Sequence, residues 1–123
     1  MARNLRLQDK VLFLGWRDDL PALLRSATAF VSTSLFEGYG VSLLMAARAG
    51  VPIITTDVGL IGDEIPKEAV TVIPHRDPRA LARSMEDILL KEEEMQDRAT
   101  RLRGRLAVSP VSKDMYAQKL LDS

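Results

Sequence analysis

The stretch Ala29-Phe30-Val31-Ser32-Thr33-Ser34-Leu35-Phe36-Glu37-Gly38-Tyr39-Gly40-Val41-Ser42-Leu43-Leu44-Met45-Ala46-Ala47-Arg48-Ala49-Gly50 reads as a strand, a turn and a helix in that order. Ala29-Phe30-Val31 is continuously apolar, the pattern of a parallel strand covered on both faces. Val41 to Ala49 reads as a helix, and Gly50 suits the position just past its end. Between the two, Gly38 and Gly40 let the backbone approach a ligand closely. The first N–H groups of the Val41 helix have no partner within the helix and turn toward that loop, which favours a phosphate. Glu37 would repel a phosphate and suits sugar hydroxyls instead. The turn therefore reads as a place for a phosphate beside a polyol, although the same glycines also fit an unliganded strand-to-helix turn.

Outward from this unit the pattern repeats. Val11-Leu12-Phe13-Leu14, Pro52-Ile53-Ile54-Thr55 and Val70-Thr71-Val72-Ile73 are further apolar runs that read as buried strands. Asp18 or Asp19 can cap a helix carrying Leu20, Leu23 and Leu24, with Pro21 tolerated in its first turn. Asp77-Pro78 is a strong start for another, with Leu81, Met85, Ile88 and Leu89 along one face. Lys91 to Leu106 continues helical but is mostly charged, and Ser109-Pro110 opens a last helix with Val111, Met115, Tyr116 and Leu120 as its stripe. Strands alternating with helices imply a parallel sheet with right-handed crossovers. The fold class is α/β, a Rossmann-like parallel sheet of about four strands with flanking helices.

Ligands of such sheets bind beyond the C-terminal ends of the strands. Three loops leave those ends: Gly15-Trp16-Arg17-Asp18, the Thr33–Gly40 segment, and Thr56-Asp57-Val58-Gly59.

The 123 residues suffice for one compact domain and not for two. Lys+Arg and Asp+Glu both number 17, so no general basic field is available to hold nucleic acid. Arg98, Arg101, Arg103 and Arg105 crowd one stretch and read as a solvated helix face. The absence of Cys excludes disulfides, thiolate metal sites and a thiol nucleophile. With His75 as the single histidine there is no His-based metal cluster and no Ser-His-Asp arrangement, and His75 reads as a loop or strand-end residue. No apolar run reaches the roughly 20 residues of a membrane span, and no signal-peptide core is present; a cytoplasmic chain is expected.

Ser34 to Leu44 resembles the donor-site motif of the GT-B retaining glycosyltransferases, family 4 in particular. Val11-Leu12-Phe13-Leu14-Gly15-Trp16-Arg17-Asp18-Asp19-Leu20 is similar to the segment that precedes the motif in that family. Ala49-Gly50-Val51-Pro52-Ile53-Ile54-Thr55-Thr56-Asp57-Val58-Gly59 is similar to the one that follows, and Asp77-Pro78-Arg79-Ala80-Leu81 to a later helix start. The resemblance implies that Glu37 lies by the donor sugar, and that Gly38, Tyr39, Gly40, Val41 and Ser42 hold the diphosphate of a UDP- or GDP-sugar. The nucleotide side would fall to Gly15, Trp16 and position 45. It implies retaining transfer in which the nucleoside diphosphate leaves an oxocarbenium-like sugar, stabilised without a metal or other cofactor.

The chain departs from the family pattern in several places. A second Glu, eight residues after the first, grips the ribose in the family, and Met45 stands there instead. A thioether is a weak acceptor, and hydrogen bonds to a charged group contribute about 1.5–3 kcal/mol each, so weak nucleotide binding is expected. Met45 either faces the core or lines an altered pocket. Leu60 stands where the family usually has another glycine, and Gly62 near a usual proline, so the loop after Asp57 is expected to differ.

The resemblance covers only the later part of the donor domain, so residues 1–123 are expected to form one partial domain. The acceptor domain, and the first β-α units with their diphosphate-binding Arg and Lys, have no counterpart. The chain is therefore expected to be inactive alone. In the family the strands lie in the order 3-2-1-4-5-6, and the four here resemble the third to the sixth. Val11–Leu14 is then expected to shift inward onto Ala29–Val31, or a second copy to fill the gap. Two alternatives stand beside donor binding: a degenerate assembly module pairing with a partner lobe, and a receiver-like signalling domain built on Asp18-Asp19 and Asp57.

Overall fold

The computed structural model describes residues 6–35, 40–59 and 61–108. Its elements are α1 (Leu20–Ser26), β1 (Phe30–Ser32), α2 (Val41–Ala49), β2 (Ile53–Thr56), a 3-10 turn (Lys67–Ala69), β3 (Thr71–Ile73), α3 (Pro78–Leu90) and α4 (Glu92–Val108). The strands form a parallel sheet in the order β1-β2-β3. Val31 lies opposite Ile54, and Thr55 opposite Val72. This is the order expected of the family's fourth to sixth strands.

Burial follows from the two-residue period of the central strand. All of β2 is buried, as a parallel strand with helices on both faces must be. Ile53 joins a core with Leu24 of α1, Leu43, Leu44, Ala46 and Ala47 of α2, and Leu102 and Leu106 of α4. Ile54 points the other way, into a smaller cluster with Ile73, Ala80 and Ile88. Burying an isoleucine side chain contributes about 1.5–3 kcal/mol, so this strand alone anchors both layers.

Each helix takes its limits from local chemistry. Asp77 Oδ1 accepts a hydrogen bond from the Ala80 amide at 2.9 Å, and Pro78 follows in the first turn, so α3 starts where the sequence signals it. Ala80, Ser84 and Ile88 recur every fourth residue and form its buried stripe. Gly50 ends α2 at φ 75° and ψ 31°, the left-handed conformation that glycine adopts readily. Helix α4 then crosses α2. Its Gln96 amide donates to the Gly50 carbonyl at 2.9 Å, and the Arg103 side chain lies against Gly50. Of the arginines read as a solvated face, Arg101, Arg103 and Arg105 are exposed. Arg98 is instead half-buried and donates to Thr71 Oγ1 at 2.6 Å.

Two expectations need correction. The sheet has three strands among the described residues, because Val11–Leu14 forms no ladder. Nor does that segment move onto β1, whose pairing is with β2. Leu12 and Phe13 are 83% and 90% exposed. Edge pairing with a three-residue β1 would add a few hydrogen bonds worth about 0.5–1.5 kcal/mol each. Fixing the backbone costs about 1–2 kcal/mol per residue, so a ladder forms only where side-chain burial adds to it, and Leu12 and Phe13 stay exposed. Leu24 meanwhile holds α1 against α2, which fixes where the segment ahead of it ends. The helix expected from Ser109 lies outside the described residues.

A Cβ at position 50 would need a left-handed backbone and would lie 3.3 Å from Arg103 Cδ. Gly50→Ala is predicted to lower stability by about 1–2 kcal/mol. Urea denaturation followed by circular dichroism measures this, and an unchanged midpoint would contradict the assignment.

Candidate functional site

The C-terminal ends of β1, β2 and β3 open onto one end of the molecule, where open α/β sheets bind ligands. A recess at that end has a volume of about 620 Å³. Its walls include Thr33, Leu35, Thr56, Ile73, Arg76 and Leu81, so it lies on the α3 side of the sheet. Arg76 stands there at φ 56°, a left-handed conformation sparsely populated by residues with a side chain. A second recess of about 440 Å³ lies between α3 and α4, lined by Glu92, Glu93, Glu94 and Asp97 beside Arg101. Its carboxylates repel phosphate, and it sits at the far end of α3 from the strand exits.

Helix α2 begins at the strand exits on the opposite face of the sheet from α3. Gly40 is its N-cap at φ 86° and ψ 48°, a conformation open to glycine and strained for most other residues. Gly40 brings no side chain to cap the helix, and the first turn holds no acidic residue. The N–H groups of Val41 and Ser42 therefore begin a helix whose cap and first turn carry no acidic side chain. Gly40 is buried, Val41 half-buried and Ser42 exposed. Glu37, Gly38 and Tyr39 lie outside the described residues.

The loops beside this helix start are tied to one another. Thr56, the last residue of β2, donates its hydroxyl proton to the Ser34 carbonyl at 2.6 Å across a sequence separation of 22. Asp57 then forms an ion pair with Lys67 at 2.9 Å, with both side chains about half exposed. Exposed pairs contribute roughly 0–1 kcal/mol, so the buried hydroxyl is the stronger tie. Sequence reading did not single out Thr56, but Thr55-Thr56 in an otherwise apolar central strand is a usable signal. Two buried hydroxyls there must find acceptors.

The residues expected on the nucleotide side differ in exposure. Met45 is half-buried and packs against the main core. Gly15 adopts φ 65°, and a Cβ built on it would meet nothing within 4 Å. Trp16 is 96% exposed. Beside it Arg17 makes two hydrogen bonds to Asp19, of 2.7 and 2.6 Å. They hold the Asp19 carboxyl below its ordinary pKa and raise that of the Arg17 guanidinium. His75 is exposed in the turn after β3. Among the described residues no three His, Asp or Glu side chains are grouped to hold a metal ion. None of the described helices is long and apolar enough to cross a membrane.

A family model described as "Glycosyl transferases group 1" matches residues 1–91. The glycogen synthase of Mycobacterium tuberculosis is 35% identical over 109 residues, covering 85% of this chain and 26% of its own. The UDP-Gal:alpha-D-GlcNAc-diphosphoundecaprenol alpha-1,3-galactosyltransferase of Escherichia coli is 36% identical over 55 residues, covering 45% of this chain and 14% of its own. Among solved structures, Anabaena Alr3699/HepE in complex with UDP and glucose superposes with a TM-score of 0.82 at 19% identity. That match covers 99% of this chain and 35% of that one. The sucrose-phosphate synthase of Thermosynechococcus elongatus superposes with a TM-score of 0.68 at 27% identity, over 99% of this chain and 33% of its own. The chain spans between 14% and 26% of the length of the two sequence relatives.

Trp16 is the single tryptophan, so its environment can be read directly. Its emission is predicted to match that of free tryptophan in water and to be quenched fully by iodide. A blue-shifted, shielded emission would show that the ring is buried in solution.

Proposed function

The chain belongs to the glycosyl transferases group 1 family, and we propose that residues 1–123 form a partial donor domain that holds the nucleotide-sugar of such an enzyme. The observation that carries this reading is the start of α2. A glycine N-cap at φ 86° leads into an uncapped, acid-free first turn beside the loops that leave β1 and β2. Gly40, Val41 and Ser42 then present backbone N–H groups to the diphosphate, with Gly38 and Tyr39 completing the turn and Glu37 at the sugar hydroxyls. The nucleotide extends toward Met45, Gly15 and Trp16. The solved complex of Anabaena Alr3699/HepE with UDP and glucose supports a nucleotide and a sugar as the ligand class.

On this reading the substrate is a UDP- or GDP-sugar, and neither metal nor cofactor is called on. The groups that activate an acceptor lie outside residues 1–123, whose part is to hold the donor. A cytoplasmic location belongs to the same reading.

A second reading, an assembly module, draws on one specific observation. Leu12, Phe13 and Trp16 are exposed beside a segment that makes no ladder, which suits docking on another lobe or another copy. The receiver-like alternative lacks comparable support, because among the described residues Asp18, Asp19 and Asp57 are not grouped into an acidic site that could hold a metal ion.

Calorimetric titration with UDP and GDP is predicted to give weak binding by the wild-type chain, with Kd on the order of 1 mM. Met45→Glu restores a carboxylate for the ribose and is predicted to tighten binding by about tenfold or more. Absence of binding by both proteins at millimolar ligand would overturn the donor-site reading.

A further inference from the structure

The backbone ladder between β1 and β2 ends at the pair Ser32 and Thr55. One step further, the link between the two strands passes to a side chain. Thr56 Oγ1 donates to the Ser34 carbonyl at 2.6 Å, while the Thr56 carbonyl accepts from the Val58 amide at 3.0 Å. The Thr56 side chain is 1% exposed, so water cannot substitute for either partner of the hydroxyl bond. Ser34 starts the connection from β1 to α2, and its carbonyl is thereby fixed to the end of the central strand. The hydroxyl thus holds the chain at the point where it leaves the sheet toward Gly40 and Val41.

We infer that Thr56 is a positioning residue for the donor: it does not touch the ligand, but its hydroxyl sets the start of the loop that delivers the α2 N–H groups to the diphosphate. This inference rests on the donor-site reading above. A strand-end threonine whose only role was packing would be replaced by valine without functional loss, since the two share shape and volume. A positioning threonine would not, because valine leaves the Ser34 carbonyl without its donor.

The test compares Thr56→Val with Thr56→Ser in the full chain, read by UDP titration and by thermal melting. Thr56→Ser is expected to bind within about twofold of wild type, and Thr56→Val about tenfold more weakly while still melting cooperatively. Should Thr56→Val fail to fold, Thr56→Ala against Thr56→Ser isolates the hydroxyl alone. Equal UDP affinity within either pair, with wild type binding, overturns the inference and leaves the donor-site reading standing. Absence of UDP binding by wild type overturns the donor-site reading, and with it the donor role of Thr56. The tether itself is then decided without ligand, from the NMR chemical shifts and relaxation of the Leu35 and Gly40 amides. Loosening of these amides in Thr56→Ala but not in Thr56→Ser is expected; identical behaviour overturns the tether.

Discussion

The burial of Ile53 to Thr56 along the whole of β2 is the constraint on which the other elements depend. A parallel strand covered on both faces needs a neighbour on each side for its backbone and a helix layer above and below for its side chains. β1 and β3 provide the neighbours, α2 with α1 and α4 one layer, and α3 the other. The strand also ends in a threonine, so its hydrogen bonding extends past the ladder into the loops where chemistry is expected. Core and candidate site are thus two ends of one four-residue segment.

Much of this could be read from the residues because the relevant signals are short-range. The continuous apolar runs at Phe30 and Ile53, the Asp77-Pro78 start and the Gly50 stop each act through neighbours within a turn or a strand. Val11–Leu14 carries an equally good apolar signal yet forms no strand. Strand formation is a two-body event, and a run's own composition says nothing of whether an edge lies within reach. Arg98 was hidden for a similar reason. Only its packing against Thr71 separates it from the exposed arginines that share its helix.

The candidate site was legible in part. The helix start at Gly40 follows from the glycine and from the apolar helix after it. Met45 was ambiguous by sequence, because on α2 a position between buried neighbours can face either core or cleft; here it rests on the core. The link from Thr56 to Ser34 joins residues 22 apart and has no local pattern at all. It emerges only once the parallel register sets the ends of β1 and β2 side by side.

The crossing of α4 over the end of α2 has a consequence for the polarity of the whole helix. Peptide dipoles in α2 add to a partial positive charge at Gly40 and a partial negative one at Gly50. At the negative pole, the Gln96 amide bonds the Gly50 carbonyl, and the Arg103 guanidinium lies over the same residue. At the positive pole neither the Gly40 cap nor the first turn supplies an acidic side chain. The charge-rich α4, remote from the strand exits, therefore answers the negative end of α2 and has no part at the other.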